Sequence, residues 1–325
     1  MLHIFKQILL LAIIQLISIK EYIMFKNIVF ITVVISFCMF PLNILAKINV
    51  VTTTKDLASI AHEVGKDKIT VRSLATGNTD IHYAQARPDY ILRLNRADVF
   101  IQVGLELEIG WVPLLLKQSR NAKIQKGAPG YCYAYRGVPI LDRPMGEVNR
   151  QMGDLHPSGN PHYWPDPVNG IIIARNIKDT LKKVDPQNSK SYENNYEAFK
   201  RKMIIKIKEL IRLMRKHKGK KVVVYHKEFT YVLKRYKLNR AISIEKLPGV
   251  SPSPSRIREV IGFIKQNGIK VVLVSPWSNI GSARRVAEKS GAQLIILPIQ
   301  TGSTSGTETY IKMVDRVARL LDKSL

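Results

Sequence analysis

The sequence predicts an α/β protein of two Rossmann-like lobes joined by a long rigid helix. Three observations carry that reading. From Lys47 onward, short β-rich apolar runs alternate with amphipathic segments, the pattern of βα units on parallel sheets. The alternation stops, then resumes near residue 219 and continues to the end. Between the two halves stands a stretch with helical periodicity. The predicted organisation is 1–46 as a signal segment, 47–167 as an N-terminal lobe, 168–218 as a connecting helical segment and 219–325 as a C-terminal lobe.

The first 46 residues hold two apolar runs, ILLLAIIQLISI and, after Met24, IVFITVVISFCMFPLNILA. The second follows Lys26 and ends on the small residue Ala46, which reads as a secretory signal peptide with translation starting at Met24. Ile44 is larger than a cleavage site prefers, so a retained membrane anchor is the alternative. Phe37 before Cys38 argues against a lipoprotein anchor. Either way the body of the chain is predicted to be periplasmic, or otherwise extracytoplasmic.

KINVVTT then reads as a strand, and DLASIAHEVG as a helix stopped by Gly65. ITVRSLA and ADVFIQVG read as further strands. Residues 121 to 170 are polar and rich in glycine and proline, a long loop containing GNPHYWPDP. Its prolines fix φ and bias their predecessors away from helix, so His162 sits on a stiff, extended platform. Helical periodicity follows, interrupted near Pro186, with one helix of about 45 Å expected from Ser189 to Lys218 at 1.5 Å per residue. A helix of that length between two α/β halves reads as a backbone spanning both. The second half gives the strands KKVVVYH, AISIEK, IKVVLVS and AQLIILPI, separated by helices through SRIREVIGFIKQNG and SARRVAEKSG and closed by one through YIKMVDRVARLL. Ser253 and Pro254 supply a cap and a first-turn proline.

Composition narrows the chemistry. Of 325 residues, 46% are hydrophobic and 23% charged, which fits a folded globular chain rather than a disordered one. Cys38 leaves with a cleaved signal and Cys132 is then alone, so neither an internal disulfide nor a cysteine zinc site is available. The net charge is +26, and about +24 remains once Lys6, Lys20, Lys26 and Glu21 are set aside. Such a balance points to an anionic partner. The densest basic run, 200–221, has helical spacing and reads as a solvated helix face before it reads as a polyanion patch, and export removes most nucleic acid from reach.

Seven histidines occur. His3 precedes the folded body, His62 lies within a helix and His217 at a basic helix end. His82 follows a turn-rich GNTD, His226 stands where the first strand of the second lobe gives way to its helix, and His162 occupies the stiff loop with His156 six residues upstream. Neutral imidazole suits zinc and other late transition metals, and ligands gathered from separate segments are usual in such sites. On spacing alone a shared metal site and unconnected histidines stay balanced. No H-E-x-x-H occurs, GSTSG at 302–306 has threonine where a nucleophile elbow needs serine, and neither a Walker nor a dinucleotide glycine motif is present.

GNTDIHYAQARPDYILRLNRADVFIQVGLELE resembles the first-lobe signature of the zinc- and manganese-type substrate-binding proteins of ABC importers, with its histidine, its proline-aspartate and a strand leading into G-x-x-L-E. GNPHYWPDP resembles the second histidine motif of that family, and VVVYHKEFTYVLKRY the motif bearing the third ligand. The match spans about Lys47 to Leu325 in family order. The resemblance implies a metal held in the cleft between the lobes by His82, His162 and His226. The family commonly takes its fourth ligand from an aspartate in a late loop, but LIILPIQTGSTSG offers no acid before Glu308. Glu245 is expected as the fourth ligand, with water or Asp80 as alternatives and His156 as an accessory loop residue. Three imidazoles favour Zn²⁺ as the bound cargo, with Mn²⁺ admitted if carboxylates join. The implied function is capture of the ion and delivery to a membrane permease by a non-enzymatic, monomeric protein with no nucleic-acid partner. A three-histidine zinc hydrolase and a basic surface adhesin or polyanion binder are the competing readings.

Overall fold

A computed structural model describes residues 1–38, 47–146 and 153–325, and of residues 33–38 only the backbone. Ala46 and Ile44, on which the cleavage reading rests, lie outside the described residues. The N-terminal unit, Met1–Ala46, contains one continuous helix, α1 (Leu2–Cys38), in which the two apolar runs merge. Its span Leu2–Thr32 is long and apolar enough to cross a membrane.

The second unit, Lys47–Leu325, carries two four-stranded parallel sheets. The first is ordered β2-β1-β3-β4, from β1 (Ile48–Thr52), β2 (Ile69–Ser73), β3 (Val99–Gln102) and β4 (Tyr131–Tyr133). The second repeats that order as β6-β5-β7-β8, from β5 (Lys221–Val224), β6 (Asn239–Ser243), β7 (Val271–Val274) and β8 (Gln293–Ile296). The two α/β lobes are those the alternation predicts. The central strands β1, β3, β5 and β7 bury nearly every side chain, as parallel strands covered on both faces must.

Helices return the chain between strands. In the first lobe these are α2 (Lys55–Gly65), α3 (Pro88–Asn95) and α4 (Val112–Ser119), and in the second α7 (Thr230–Arg235), α8 (Pro254–Asn267) and α9 (Ile280–Ser290), with α10 (Tyr310–Ser324) closing the chain. Thr54, Ser253, Asn279 and Thr309 each accept a hydrogen bond from a first-turn N–H, and Gly268 and Gly291 end α8 and α9 in the left-handed conformation. Strand β4 falls inside the stretch read as loop. Three residues, YCY, are too few to display alternation, and its Cys132 is buried, with burial pushing the thiol up to about 12.

The connecting segment is two helices, α5 (Pro167–Val184) and α6 (Ser189–Met214). The single helix expected to reach Lys218 instead ends at Met214 and tightens into a 3-10 turn over Arg215–His217, giving a rod of about 39 Å. There His217 turns inward, and its Nε2 lies 2.9 Å from Asp322 Oδ1 near the end of α10. Tyr192, Tyr196, Phe199, Met203, Ile207, Leu210 and Met214 form one buried stripe along α6. That stripe lies on α2 of the first lobe, on α5 and on α10. One hydrophobic cluster therefore runs from β1 and β3 through α5, α6 and α10 to β5 and β7, and a smaller one fills the far side of the second sheet.

Candidate metal centre

Each of three loops delivers one imidazole, and two of them do so by the same local device. After β2 the chain turns at Gly77 and Asn78, and Asp80 caps a 3-10 turn over Ile81–Tyr83. Asp80 Oδ1 accepts from the His82 backbone N–H at 3.0 Å and lies 2.8 Å from His82 Nδ1. Buried Ile81 anchors this turn, its carbonyl accepting from Trp111 Nε1 at 2.9 Å. In the proline-rich loop Asn160 repeats the arrangement. Its Oδ1 accepts from the His162 N–H at 3.0 Å and lies 2.9 Å from His162 Nδ1. Asp80-x-His82 and Asn160-x-His162 are thus equivalent side-chain turns, in which one oxygen fixes both the backbone and the ring.

Behind His162, Tyr163 and Trp164 are fully buried, their polar ends bonded to the carbonyls of Val103 and Ile299. Asp166 caps α5 through Val168 N–H and forms a two-point ion pair with Arg235 of α7 at 2.7 and 2.8 Å. His226 follows β5 and opens a 3-10 turn over Lys227–Phe229. Its Nδ1 lies 2.7 Å from Glu245 Oε2, and Glu245 also accepts from Gly249 N–H at 3.1 Å.

An oxygen acceptor at every Nδ1 places the proton there and leaves Nε2 bare, the tautomer a metal requires. One ligand atom from each of His82, His162 and His226 lies within 4.8 Å of the others. Ring centroids are 5.1, 5.9 and 5.4 Å apart for the pairs 82–162, 82–226 and 162–226. The first lobe supplies two rings and the second one, at the carboxyl ends of their sheets, where open α/β folds hold ligands.

The surroundings are strongly polarised. Burial, then the neighbouring imidazoles, hold His162 well below the usual histidine range. Burial also works against charge on His226, but the bond to Glu245 and the nearby carboxylates of Glu228 and Asp80 outweigh it, and its pKa rises. Asp80 is pushed up by burial and down more strongly by His82, for a net lowering. Glu228 is fully enclosed, pushed by burial up to about 7, and its Oε1 has no hydrogen-bond partner. Three carboxylates thus surround imidazoles in a chain whose net charge is +26.

Glu245 and Asp80 stand behind His226 and His82 at their Nδ1 atoms. The late loop where the family's aspartate would fall is committed elsewhere: Gln300 Nε2 donates to the Thr79 carbonyl at 3.2 Å, and Thr301 N–H and Oγ1 both donate to Asp56 Oδ1, at 2.8 and 2.7 Å. His156, read from the sequence as accessory, lies with Nε2 3.2 Å from His82 Nε2. HPSGN forms a turn closed by Gly159 N–H donating to the His156 carbonyl at 3.0 Å, and the tightness of that turn sets where His156 stands. Glu228 was also missed, since nothing in VVVYHKEF shows that the acid is enclosed. Glu108, which ends the G-x-x-L-E motif, is structural. Its buried carboxylate accepts from Thr53 Oγ1 and from the N–H groups of Val103 and Gly104 at 2.7, 2.8 and 2.9 Å, tying the ends of β1 and β3 together.

Known proteins resemble this chain over most of its length. Among curated relatives, the zinc-binding lipoprotein AdcA of Streptococcus pneumoniae is 23% identical over 86% of this chain, which spans only 56% of that protein's length. The manganese ABC transporter substrate-binding lipoprotein PsaA of Streptococcus pneumoniae is 28% identical over 85% of this chain and 90% of its own. The iron-binding protein YfeA of Yersinia pestis is 24% identical over 87% and 88%. Among solved structures, a ZnuA crystal structure superposes with a TM-score of 0.73 at 22% identity, covering 86% of this chain and 99% of that one. A manganese-bound periplasmic metal-binding protein from Candidatus Liberibacter asiaticus gives 0.70 at 21%, covering 85% and 99%. With residues 50–324 matched by the model of the zinc-uptake complex component A periplasmic family, the chain belongs to that family of metal-binding proteins.

Proposed function

We propose that this protein captures a divalent transition metal, zinc before manganese, outside the cytoplasmic membrane and delivers it to the permease of an ABC importer. The observation that carries the proposal is the convergence of three imidazoles from two lobes, one ligand nitrogen of each within 4.8 Å of the others and each ring held at Nδ1 by its own oxygen. Neutral nitrogen donors suit zinc, with bonds of about 2.0–2.1 Å, and suit manganese less well. The N-terminal helix provides the export signal or tether that an extracytoplasmic role needs.

A hydrolase would need room for a substrate beside the ion. The cavity against His156, His162 and His226 measures about 30 Å³, far below the roughly 300 Å³ or more of a small-molecule site. That space favours a carrier of bare ions over a catalyst. Zinc titration by calorimetry tests the proposal: the wild-type chain takes up one equivalent, and the triple variant His82→Ala, His162→Ala, His226→Ala takes up none. Equal uptake by the two would exclude it.

A further inference from the structure

The three-histidine reading leaves a fourth coordination position open, and two of the three nearby carboxylates already serve the rings from behind. Asp80 and Glu245 are engaged at Nδ1 atoms, and the late loop ends in Gln300 and Thr301, which are bonded to the first lobe. We propose that His156 supplies the fourth donor, so that this chain holds its ion by four imidazole nitrogens and no carboxylate. The inference rests on the proposed metal-capture function and specifies the coordination shell.

Geometry supports it in two ways. The His156 and His82 Nε2 atoms are 3.2 Å apart. Two ligands on a tetrahedral ion with bonds of about 2.0–2.1 Å are separated by about 3.3 Å, so the pair already spans one edge of such a site. The His156 ring stacks near His82, with centroids 5.3 Å apart, and lies 6.4 Å from His162.

The loop that carries His156 is also built into place from both lobes. Asp154 N–H donates to the Pro248 carbonyl at 2.8 Å, and Tyr83 Oη donates to Asp154 Oδ2 at 2.6 Å. Ser158 donates through its N–H and Oγ to Glu106 at 3.2 and 2.7 Å. Gly153 and Gly249 let the two backbones meet, since a Cβ on Gly153 would strike the Pro248 carbonyl and one on Gly249 the Asp154 carboxylate. A solvated loop histidine needs none of this. His156 Nε2 lies 3.2 Å from His82 Nε2, a contact that keeps the ring beside the site. To ligate, neutral His156 carries its proton on Nδ1, exchanged through solvent, so that its Nε2 and that of His82 both face the ion.

The test uses the full chain loaded with Co²⁺, whose hyperfine-shifted ring protons count the coordinated imidazoles, followed by displacement with Zn²⁺ to obtain affinities. The wild type is expected to show four imidazoles. His156→Ala and His156→Gln should each show three and bind zinc at least about tenfold more weakly, since removing a ligand costs no less than removing its supporting partner. Because carboxylates are absent from the shell, Mn²⁺ should fail to displace Co²⁺ from the wild type. Three imidazoles in the wild type would overturn the assignment of His156 while leaving the three-histidine site standing. Wild-type protein that bound neither ion would overturn the metal-capture function itself. The wild-type count needs no variant, so a variant that folds poorly leaves the result decided.

Discussion

Asn160 separates orientation from coordination, because it touches His162 only at Nδ1 and at the backbone N–H. Asn160→Ala should weaken zinc binding about 10- to 100-fold without changing the one-to-one stoichiometry, measured by competition with a chelating dye. Asp56 gives a different prediction. Its carboxyl is enclosed at the start of α2, one oxygen accepting from Thr301 and the other unpartnered, and burial raises it to about 6. A carboxyl raised on folding is stabilising when protonated, so its contribution is full below the unfolded value near about 3.9 and is lost as pH rises through about 6. Metal-free protein should therefore gain up to about 3 kcal/mol from this group as pH falls from about 7 to about 4. In Asp56→Asn, urea unfolding across that range should lack that component; identical profiles would refute the assignment. His82, His162 and His226 were legible because each lies in a motif that carries the family resemblance; their spacing alone left them balanced against unconnected histidines. The place of His156 was not, because it depends on how tightly HPSGN turns, and the enclosure of Glu228 depends on neighbours remote in sequence.

Glu108 joins two strand ends through three hydrogen bonds in a site closed to water. Glu108→Ala leaves Thr53 Oγ1 and two backbone N–H groups unpaired, and should destabilise the protein by at least about 2–3 kcal/mol in thermal or urea unfolding. Gly170 on α5 faces Tyr310 of α10, whose ring and hydroxyl occupy the space a Cβ would need. That hydroxyl donates to the Trp164 carbonyl at 2.6 Å. Gly170→Ala should accordingly cost about 1–3 kcal/mol by overpacking, although alanine is the better helix former, and a stabilised variant would contradict this packing. Most elements were legible from periodicity and caps, α8 with Ser253 and Pro254 most of all. The end of α6 was read a few residues late, because Arg215–His217 remains a good helical sequence up to the stop at Gly219, whose φ is +82°, while His217 is drawn to Asp322 across the fold. Strand β4 escaped notice because its residues are aromatic and few.

Across the whole molecule, the lobes share α6, the Arg235–Asp166 pair, and the bonds from Thr301 to Asp56 and from Trp164 to Ile299. Metal-free and zinc-loaded crystals should therefore superpose over Lys47–Leu325 within about 1 Å for backbone atoms outside the histidine loops. A wide opening of the lobes would contradict the stapling. The charge of +26 repels incoming cations at long range, and Asp80, Glu228 and Glu245 offset it only near the site. Zinc association should thus quicken as salt rises from low values to about 0.15 M, where screening acts beyond about 8 Å, as stopped-flow would show. The bilobal plan was readable from two rounds of βα alternation, whereas the stapling was not, because its donors and acceptors lie far apart in sequence. The hydrophobic cluster that crosses from lobe to lobe has a consequence for supply and turnover. A core that ignores the boundary makes the folded body melt as a unit, so an ion bound at one edge protects every residue. With free zinc about a hundredfold above its dissociation constant that protection is about 2.7 kcal/mol. Proteolytic surveillance outside the membrane would then clear empty carriers faster than loaded ones, and the abundance of the protein would track the metal available to it.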